Sequence, residues 1–298
     1  MLSASDHKQW VAWTSVLAAI VLTLVKIIVG FSTQSLGILA EAAHSGLDLM
    51  AAIVTLLAVR WSDRPADVEH PYGHGKIENL SALFETLLLL ITCVWISMEA
   101  VRRLTVHAVE VEPTVWAFAV MILSIIVDIS RSRALMKAAK KYNSQALEAD
   151  ALHFSTDIWS SAVVILGLTA VRLGQVWPEH AAWLGKADAV AALGVAVIVV
   201  MVSLRLGRRT LQGLLDTAPT GLADQIKPIV EGVEGVVDCH HIRVRTSGPH
   251  LFVDVHVLID GTKTLNEAHA LTERIEERIQ QLAPNADVTV HPEPVNMA

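Results

Sequence analysis

The sequence predicts an α-helical membrane protein with six transmembrane helices, followed by a small α+β domain of order α-β-β-α-β. Three observations carry this expectation. Of 298 residues, 53% are hydrophobic and 18% charged, with a mean hydropathy of +0.48, and so little charge does not cover a soluble surface. Six runs approach the roughly 20 apolar residues that a bilayer crossing needs. The charge is also divided unevenly. Residues 1–209 hold 17 Lys/Arg and 17 Asp/Glu, whereas residues 210–298 hold 6 and 13, so the whole net charge of −7 lies in the second part. A membrane domain over 1–209 and a cytoplasmic domain over 210–298 follow. The acidic balance excludes a nucleic-acid binder. Cys93 and Cys239 lie too far apart for a CxxC site or a disulfide framework, which excludes a secreted miniprotein.

The six spans are Val11–Gly30, Ile38–Val59, Asn79–Val101, Thr114–Ser130, Leu147–Val171 and Asp188–Leu206. The first run is too long for a signal peptide, and no small-residue cleavage site follows it. An even number of spans puts both termini on one side, and positive loops choose that side. Lys8 precedes the first span, Arg60, Arg64 and Lys76 follow the second, and Arg131, Arg133, Lys137, Lys140 and Lys141 follow the fourth. Arg205, Arg208 and Arg209 follow the last. The opposite loops carry only Arg102 and Arg103, then Arg172 and Lys186. Both termini are therefore predicted to be cytoplasmic.

Beyond Arg209 the pattern shortens. Gly221–Glu231 reads as a helix opened by Thr220 and weakened by Pro228. Val236–Arg245 and Leu251–Ile259 read as strands, the second alternating through Phe252, Asp254 and His256. Leu265–Gln281 is an amphipathic helix with Ala268, Leu271, Ile275 and Ile279 on one stripe. Ala286–His291 is the last strand, and the order suits an open-faced sandwich.

Ionised side chains at mid-bilayer cost about 2.5–3.5 kcal/mol on the lenient scale, so each needs a reason. The second span carries His44 and Asp48, and the fifth His153 and Asp157. Each pair is spaced i, i+4 and projects from one helical face. Two imidazole nitrogens and two carboxylate oxygens make a tetrahedral set suited to Zn²⁺. Ala42, Ala43, Ser45 and Gly46 would let the helices approach closely. The plainer alternative is two His–Asp hydrogen bonds holding the bundle, but two matching pairs favour a metal site. Glu41 and Asp150, one turn before each histidine, read either as carboxylates behind the ligands or on an entry path, or, for Asp150, as a helix-end residue in water. Glu85, Glu99 and Asp128 are assigned no ligand role.

HSGLD and HFSTD in the second and fifth spans, with the loop DVEHPYGHGKIENL and a C-terminal domain ending in VTVHPEP, resemble the cation diffusion facilitator family along essentially the whole chain. The resemblance implies a homodimeric exporter of divalent metals driven by proton antiport, with a metallochaperone-like, ferredoxin-like cytoplasmic domain. Many members carry Asp where this chain has His44, and the two-His, two-Asp set goes with zinc over cadmium. Imidazole in place of a hard oxygen also favours Zn²⁺ over Mn²⁺ or Mg²⁺.

Asp67, His70 and His74, spaced i, i+3 and i+7, either hold an ion in a curled loop or are solvated loop residues. The resemblance places a second zinc site on them. It also makes Lys76 part of an inter-subunit charge interlock, with Asp216 at the matching partner position, that ties the membrane dimer to the cytoplasmic domain. In the C-terminal domain it implies a binuclear site at the dimer interface from His240, His256, His269, His291 and Glu293. There Pro292 lacks a donor where some relatives carry Gln, and Glu293 replaces a shorter Asp. The plainer alternative is surface histidines on an acidic domain. His250 reads as a turn residue, and Cys239 as a small apolar side chain.

The expected activity is Zn²⁺/H⁺ antiport by alternating access, with Zn²⁺ as substrate and as regulatory ligand and no organic cofactor. Ligands must lose protons to bind metal, and imidazole, with an ordinary pKa of about 6.5, titrates in the useful range. The alternatives are the same mechanism with Fe²⁺, Mn²⁺, Co²⁺, Ni²⁺ or Cd²⁺, or a membrane-anchored metal sensor. An intramembrane zinc hydrolase is disfavoured, since HExxH is absent and four ligands leave no place for activated water. The expected partners are divalent metal ions, protons, the lipid bilayer and a second copy of the chain, with no nucleic acid, in the bacterial inner membrane.

Overall fold

A computed structural model describes residues 4–33, 36–105, 115–176, 181–284 and 286–295. Thr114, and the side chains of Glu99, Arg103, Arg172, Lys186 and Asp188, lie outside the described residues. The helices are α1 (Ala4–Thr33), α2 (Leu36–Ser62), α3 (Lys76–Thr105), α4 (Val115–Tyr142), α5 (Gln145–Val176) and α6 (Ala181–Leu214). They are followed by α7 (Leu222–Glu231), β1 (Val236–Ser247), β2 (His250–Asp260), α8 (Leu265–Leu282) and β3 (Ala286–Val295). The chain divides into two units. One holds Met1–Asp63 with Ile77–Thr210, and the other holds Arg64–Lys76 with Leu211–Ala298. The loop 64–76 thus groups with the C-terminal part and not with the helices that flank it.

In the first unit the usual sidedness of a soluble helix is reversed. On α1, Trp13, Leu17, Leu24, Ile28 and Phe31 are exposed while Lys8, Ser15, Thr23 and Lys26 are buried. On α3, Phe84, Leu87, Ile91 and Met98 are exposed while Glu78, Asn79 and Glu85 are buried. An outer surface of large apolar side chains suits lipid, which also leaves every buried polar group to be satisfied within the bundle. Helix α1 packs on α2 and α4, and α5 packs on α4 and α2. Small residues permit the approach: Ala12, Ala52, Ala138, Ala139, Ala146 and Ala151 sit in one core with Leu56, Leu135 and Phe154.

Three helical segments among the described residues are long and apolar enough to cross a membrane on composition alone: Ser5–Thr33, Glu41–Ser62 and Lys76–Trp95. The other three expected spans coincide with helices α4, α5 and α6, parts of which have side chains outside the described residues.

The second unit builds a three-stranded sheet of order β1-β2-β3, with β1 antiparallel and β3 parallel to β2. The parallel pair is joined through α8. Its core is Ile226 and Val230 of α7, Val253, Val255 and Val257 of β2, and Leu271, Ile275 and Ile279 of α8. Helix α8 begins at a capping box, in which Thr264 accepts from the Glu267 N–H and the Glu267 carboxylate accepts from the Thr264 N–H. Helix α7 differs from expectation. Its first cap is Gly221, with φ of 76° and no side-chain hydrogen bond, and not Thr220. Pro228 is accommodated inside the helix, which continues to Glu231. Strand β3 also outruns its expected end at His291, reaching Val295 through Pro292 and Pro294.

Ile275 is fully buried between these layers. Ile275→Ala is expected to destabilise this unit by about 2–5 kcal/mol through lost burial and the cavity left behind. Thermal unfolding of the full chain in detergent, with hydrogen exchange of β2 as the local readout, checks it.

Candidate functional site

The paired His–Asp turns of α2 and α5 meet inside the first unit. His44 Nε2 lies 3.9 Å from Asp48 Oδ1 and 3.7 Å from Asp157 Oδ1. His153 Nε2 lies 3.2 Å from Asp48 Oδ1 and 3.7 Å from Asp157 Oδ2. Each imidazole therefore touches both carboxylates, one on its own helix and one across the bundle. Bonds of about 2.0–2.2 Å in a tetrahedron set ligands about 3.3–3.6 Å apart, and these separations straddle that spacing. His44, Asp48 and Asp157 offer ligand atoms all within 4.8 Å of one another. Their i, i+4 spacing on straight helices produces this, since each His stands one turn before its Asp.

The surroundings sort the neighbouring charges. Glu41 is paired with Lys26 at 3.3 Å, and Lys26 also donates to Ser45 Oγ at 2.7 Å. Asp150 departs from the expected water-facing position. It is buried, with Ser15 donating to it at 3.4 Å and the Arg131 guanidinium donating to the same Ser15 oxygen. Arg131 lies 3.5 Å from Asp128 and 3.5 Å above the Phe154 ring. Thr55 donates to buried Glu85. Lys8 and Arg131, which the sequence places as charges flanking spans, are buried, and so is Lys26, an ionisable residue inside the first span.

In the second unit, the loop curls as its spacing requires. Asp67 Oδ1 accepts from the backbone N–H of His70 at 2.7 Å and of Glu69 at 3.0 Å. The His70 backbone N–H, first, holds the Asp67 carboxyl below the usual carboxylate range, and the His70 side chain adds to this. His70 Nδ1 is 3.3 Å and His74 Nε2 3.4 Å from Asp67, and the three present ligand atoms within 4.8 Å of one another.

The same loop is packed against the sheet. Tyr72 meets Phe252 edge-on at 5.4 Å, and Arg245 stacks over Tyr72 at 4.2 Å. Lys76 pairs with Asp216 at 3.0 Å and donates to the Leu214 carbonyl. A Cβ on Gly75 would stand 2.2 Å from the Ser247 carbonyl oxygen and 2.6 Å from its carbon. Those are backbone atoms that cannot swing aside. Gly75→Ala is accordingly expected to lift the loop off the β1–β2 turn, read as faster proteolysis and hydrogen exchange over 64–76 with native exchange in α8.

On the sheet, His240, His256 and His291 occupy paired positions on three adjacent strands. Glu293 lies among them, 2.7 Å from His256 Nδ1, 3.3 Å from His240 Nε2 and 3.8 Å from His291 Nε2. The His256 hydrogen bond holds the Glu293 carboxyl below its ordinary range. His269 is not brought to this group. It is exposed on α8 and lies 3.6 Å from Glu273. His241, which strand alternation assigns to the other face, joins His240 and His256 in a group of ligand atoms within 4.8 Å. Cys239 is buried, as a small apolar residue would be.

Residues 12–215 match the model of the cation efflux transmembrane domain, and residues 219–295 that of the cation efflux protein cytoplasmic domain. The chain is 31% identical over 282 residues to the cation-efflux pump FieF of Salmonella arizonae, covering 94% of this chain and 90% of the relative. It is 32% identical over 280 residues to the cation-efflux pump FieF of Citrobacter koseri, covering 94% and 90%. Among solved structures, the metal-bound C-terminal domain of the CzcD transporter from Thermotoga maritima is 29% identical. It covers 25% of this chain and 88% of that one, with a TM-score of 0.24.

Proposed function

The chain belongs to the cation diffusion facilitator family, an integral membrane cation-efflux protein and not an enzyme, and from that premise we propose that it exports Zn²⁺ from the cytoplasm in exchange for protons. One observation carries the reading: His44, Asp48, His153 and Asp157 are four ligands in which each imidazole touches both carboxylates. Two carboxylates neutralise the ion, which makes a dehydrated divalent cation tolerable at membrane depth. Imidazole nitrogens bias the choice towards Zn²⁺ and away from Mn²⁺. Protons and metal compete for the same four groups, because each must be deprotonated to bind. An outward-facing site that takes up protons releases its ion and returns protonated. The His44 side chain is 27% exposed against 6% for His153, so an ion enters past His44.

Residues 1–209 are assigned transport, and residues 210–298 dimerisation and regulation, with both termini cytoplasmic beside the Lys/Arg-rich loops. Asp67, His70 and His74 are an accessory loop site. A regulatory Zn²⁺ site lies on the sheet around His240, His256, His291 and Glu293, and its occupancy favours one arrangement of a homodimer. His269 joins them only through a rearrangement of α8 or from a second subunit. Lys76 and Asp216 fasten the loop to the regulatory domain.

Proteoliposomes with an imposed pH gradient test the reading, with metal and internal pH followed together. Zn²⁺ entry with matching proton exit is expected, and Mn²⁺ flux at least about tenfold slower. Zn²⁺ flux without proton movement defeats the exchange. Equal flux of the two ions defeats the zinc assignment.

A further inference from the structure

Side chains on a strand alternate between faces, so His240 and His241 should look away from each other. In β1 they do not. The register with β2 shifts between His240 and Arg243, and within that irregularity His241 has φ of 50°. A non-glycine residue held in the left-handed region is strained, and such strain persists where something uses it. Here it places the His241 ring 4.8 Å from His240 and 5.3 Å from His256, which are themselves 5.5 Å apart. Three imidazoles form a nearly equilateral triangle, with ligand atoms all within 4.8 Å of one another.

We propose that His240, His241 and His256 form an all-imidazole site for a divalent cation within one protomer. The proposal rests on the reading that the cytoplasmic domain binds metal and revises its ligand set. His256 meets Glu293 Oε1 at 2.7 Å through Nδ1, which leaves Nε2 as its ligand atom. Glu293 is then a positioning residue that fixes the tautomer and ring of His256 and raises its basicity, and does not itself hold the ion. Three nitrogen donors with no carboxylate select Zn²⁺, and also Ni²⁺ or Cu²⁺, against Mn²⁺ and Mg²⁺. Three protein ligands leave a fourth position for water. His241 is exposed, so the ion exchanges with the cytoplasm directly, as a concentration sensor requires.

The test uses the full chain in detergent carrying Asp157→Ala, Asp67→Ala and His70→Ala, which silence the intramembrane and loop ligands. Zn²⁺ affinity is measured by competition with a chelator. His241→Asn removes the imidazole while keeping a residue that tolerates positive φ, and it is expected to weaken Zn²⁺ binding at least about tenfold. His291→Ala is expected to cost less than about threefold, being outside the triangle. Glu293→Gln, which weakens the grip on the His256 tautomer, is expected to fall between the two. A structural role for His241 would change the metal-free melting temperature instead. If the Asn variant melts early, His241→Gly, which relaxes the backbone, decides by the same affinity criterion. Unchanged affinity in the His241 variant beside lost affinity in His291→Ala overturns the triangle and leaves a metal-binding domain. No Zn²⁺ bound by the background protein overturns both.

Discussion

Asp157→Ala abolishes metal-driven flux while leaving the protein folded; flux falls at least about a hundredfold, to the leak of empty liposomes. Asp157 is the carboxylate that His44 and His153 each approach at 3.7 Å. Its loss removes a ligand and leaves the bound ion with an uncancelled positive charge. A residual charge at membrane depth costs about 2.5–3.5 kcal/mol, and each 1.4 kcal/mol or so is tenfold in binding. The two effects compound. The second unit holds none of these four ligands, so its melting and the size of the detergent complex should be native. Asp157→Glu keeps the charge but moves the oxygens by a methylene, and a small fraction of the flux should survive. Flux above a tenth of native in the alanine variant would sink the four-ligand site as the pathway.

The largest stability effect is expected at Lys8. Its Nζ is 2.5 Å from Asp63 and 2.9 Å from Glu78, and Glu78 also accepts from Ser62 and Ser144. Lys8 is 3% and Glu78 0% exposed. The Lys8 ammonium therefore joins the start of α1 to the residue after α2 and to the start of α3, and Glu78 extends the network to the residue before α5. Lys8→Met leaves the carboxylates buried without their cation, which costs about 3–5 kcal/mol. Lys8→Met with Glu78→Gln removes the stranded charge and should recover part of the loss, giving a coupling of about 0.5–3 kcal/mol. Thermal unfolding in detergent of the two single variants and the double variant measures it. A native melting profile for Lys8→Met would mean that the network holds nothing together.

Much of this architecture was legible because its causes are local. Apolar runs marked the helices, and i, i+4 spacing alone was enough to place His44 beside Asp48 and His153 beside Asp157. The strands followed from alternation. What escaped depends on distant partners. Lys8, Lys26 and Arg131 are stabilised across helices, by groups as far as 116 residues away in the case of Arg131 and Ser15, and periodicity reports only a residue's own helix. That His241 joins His240 was not legible, because a bulge changes the parity of every rule that counts by two. Strand β3 runs past His291 through two prolines. They fall at alternate positions, 292 and 294, opposite Val257 and Ile259. In a parallel edge strand, the missing N–H groups at alternate positions belong on the outer side, where the ladder does not need them.

The discontinuity of the second unit also sets an order of synthesis. Lys76 and Asp216 are 140 residues apart in the chain, so residues 64–76 leave the ribosome long before the sheet that Tyr72 and Gly75 pack against exists. At about 5–20 residues per second the loop waits about 7–30 s. During that interval four further helices, α3 to α6, are synthesised while the loop stays without its partners. A nascent chain stalled before Leu211 would hold Tyr72, Gly75 and Lys76 without Phe252, Ser247 and Asp216, their neighbours in the finished protein.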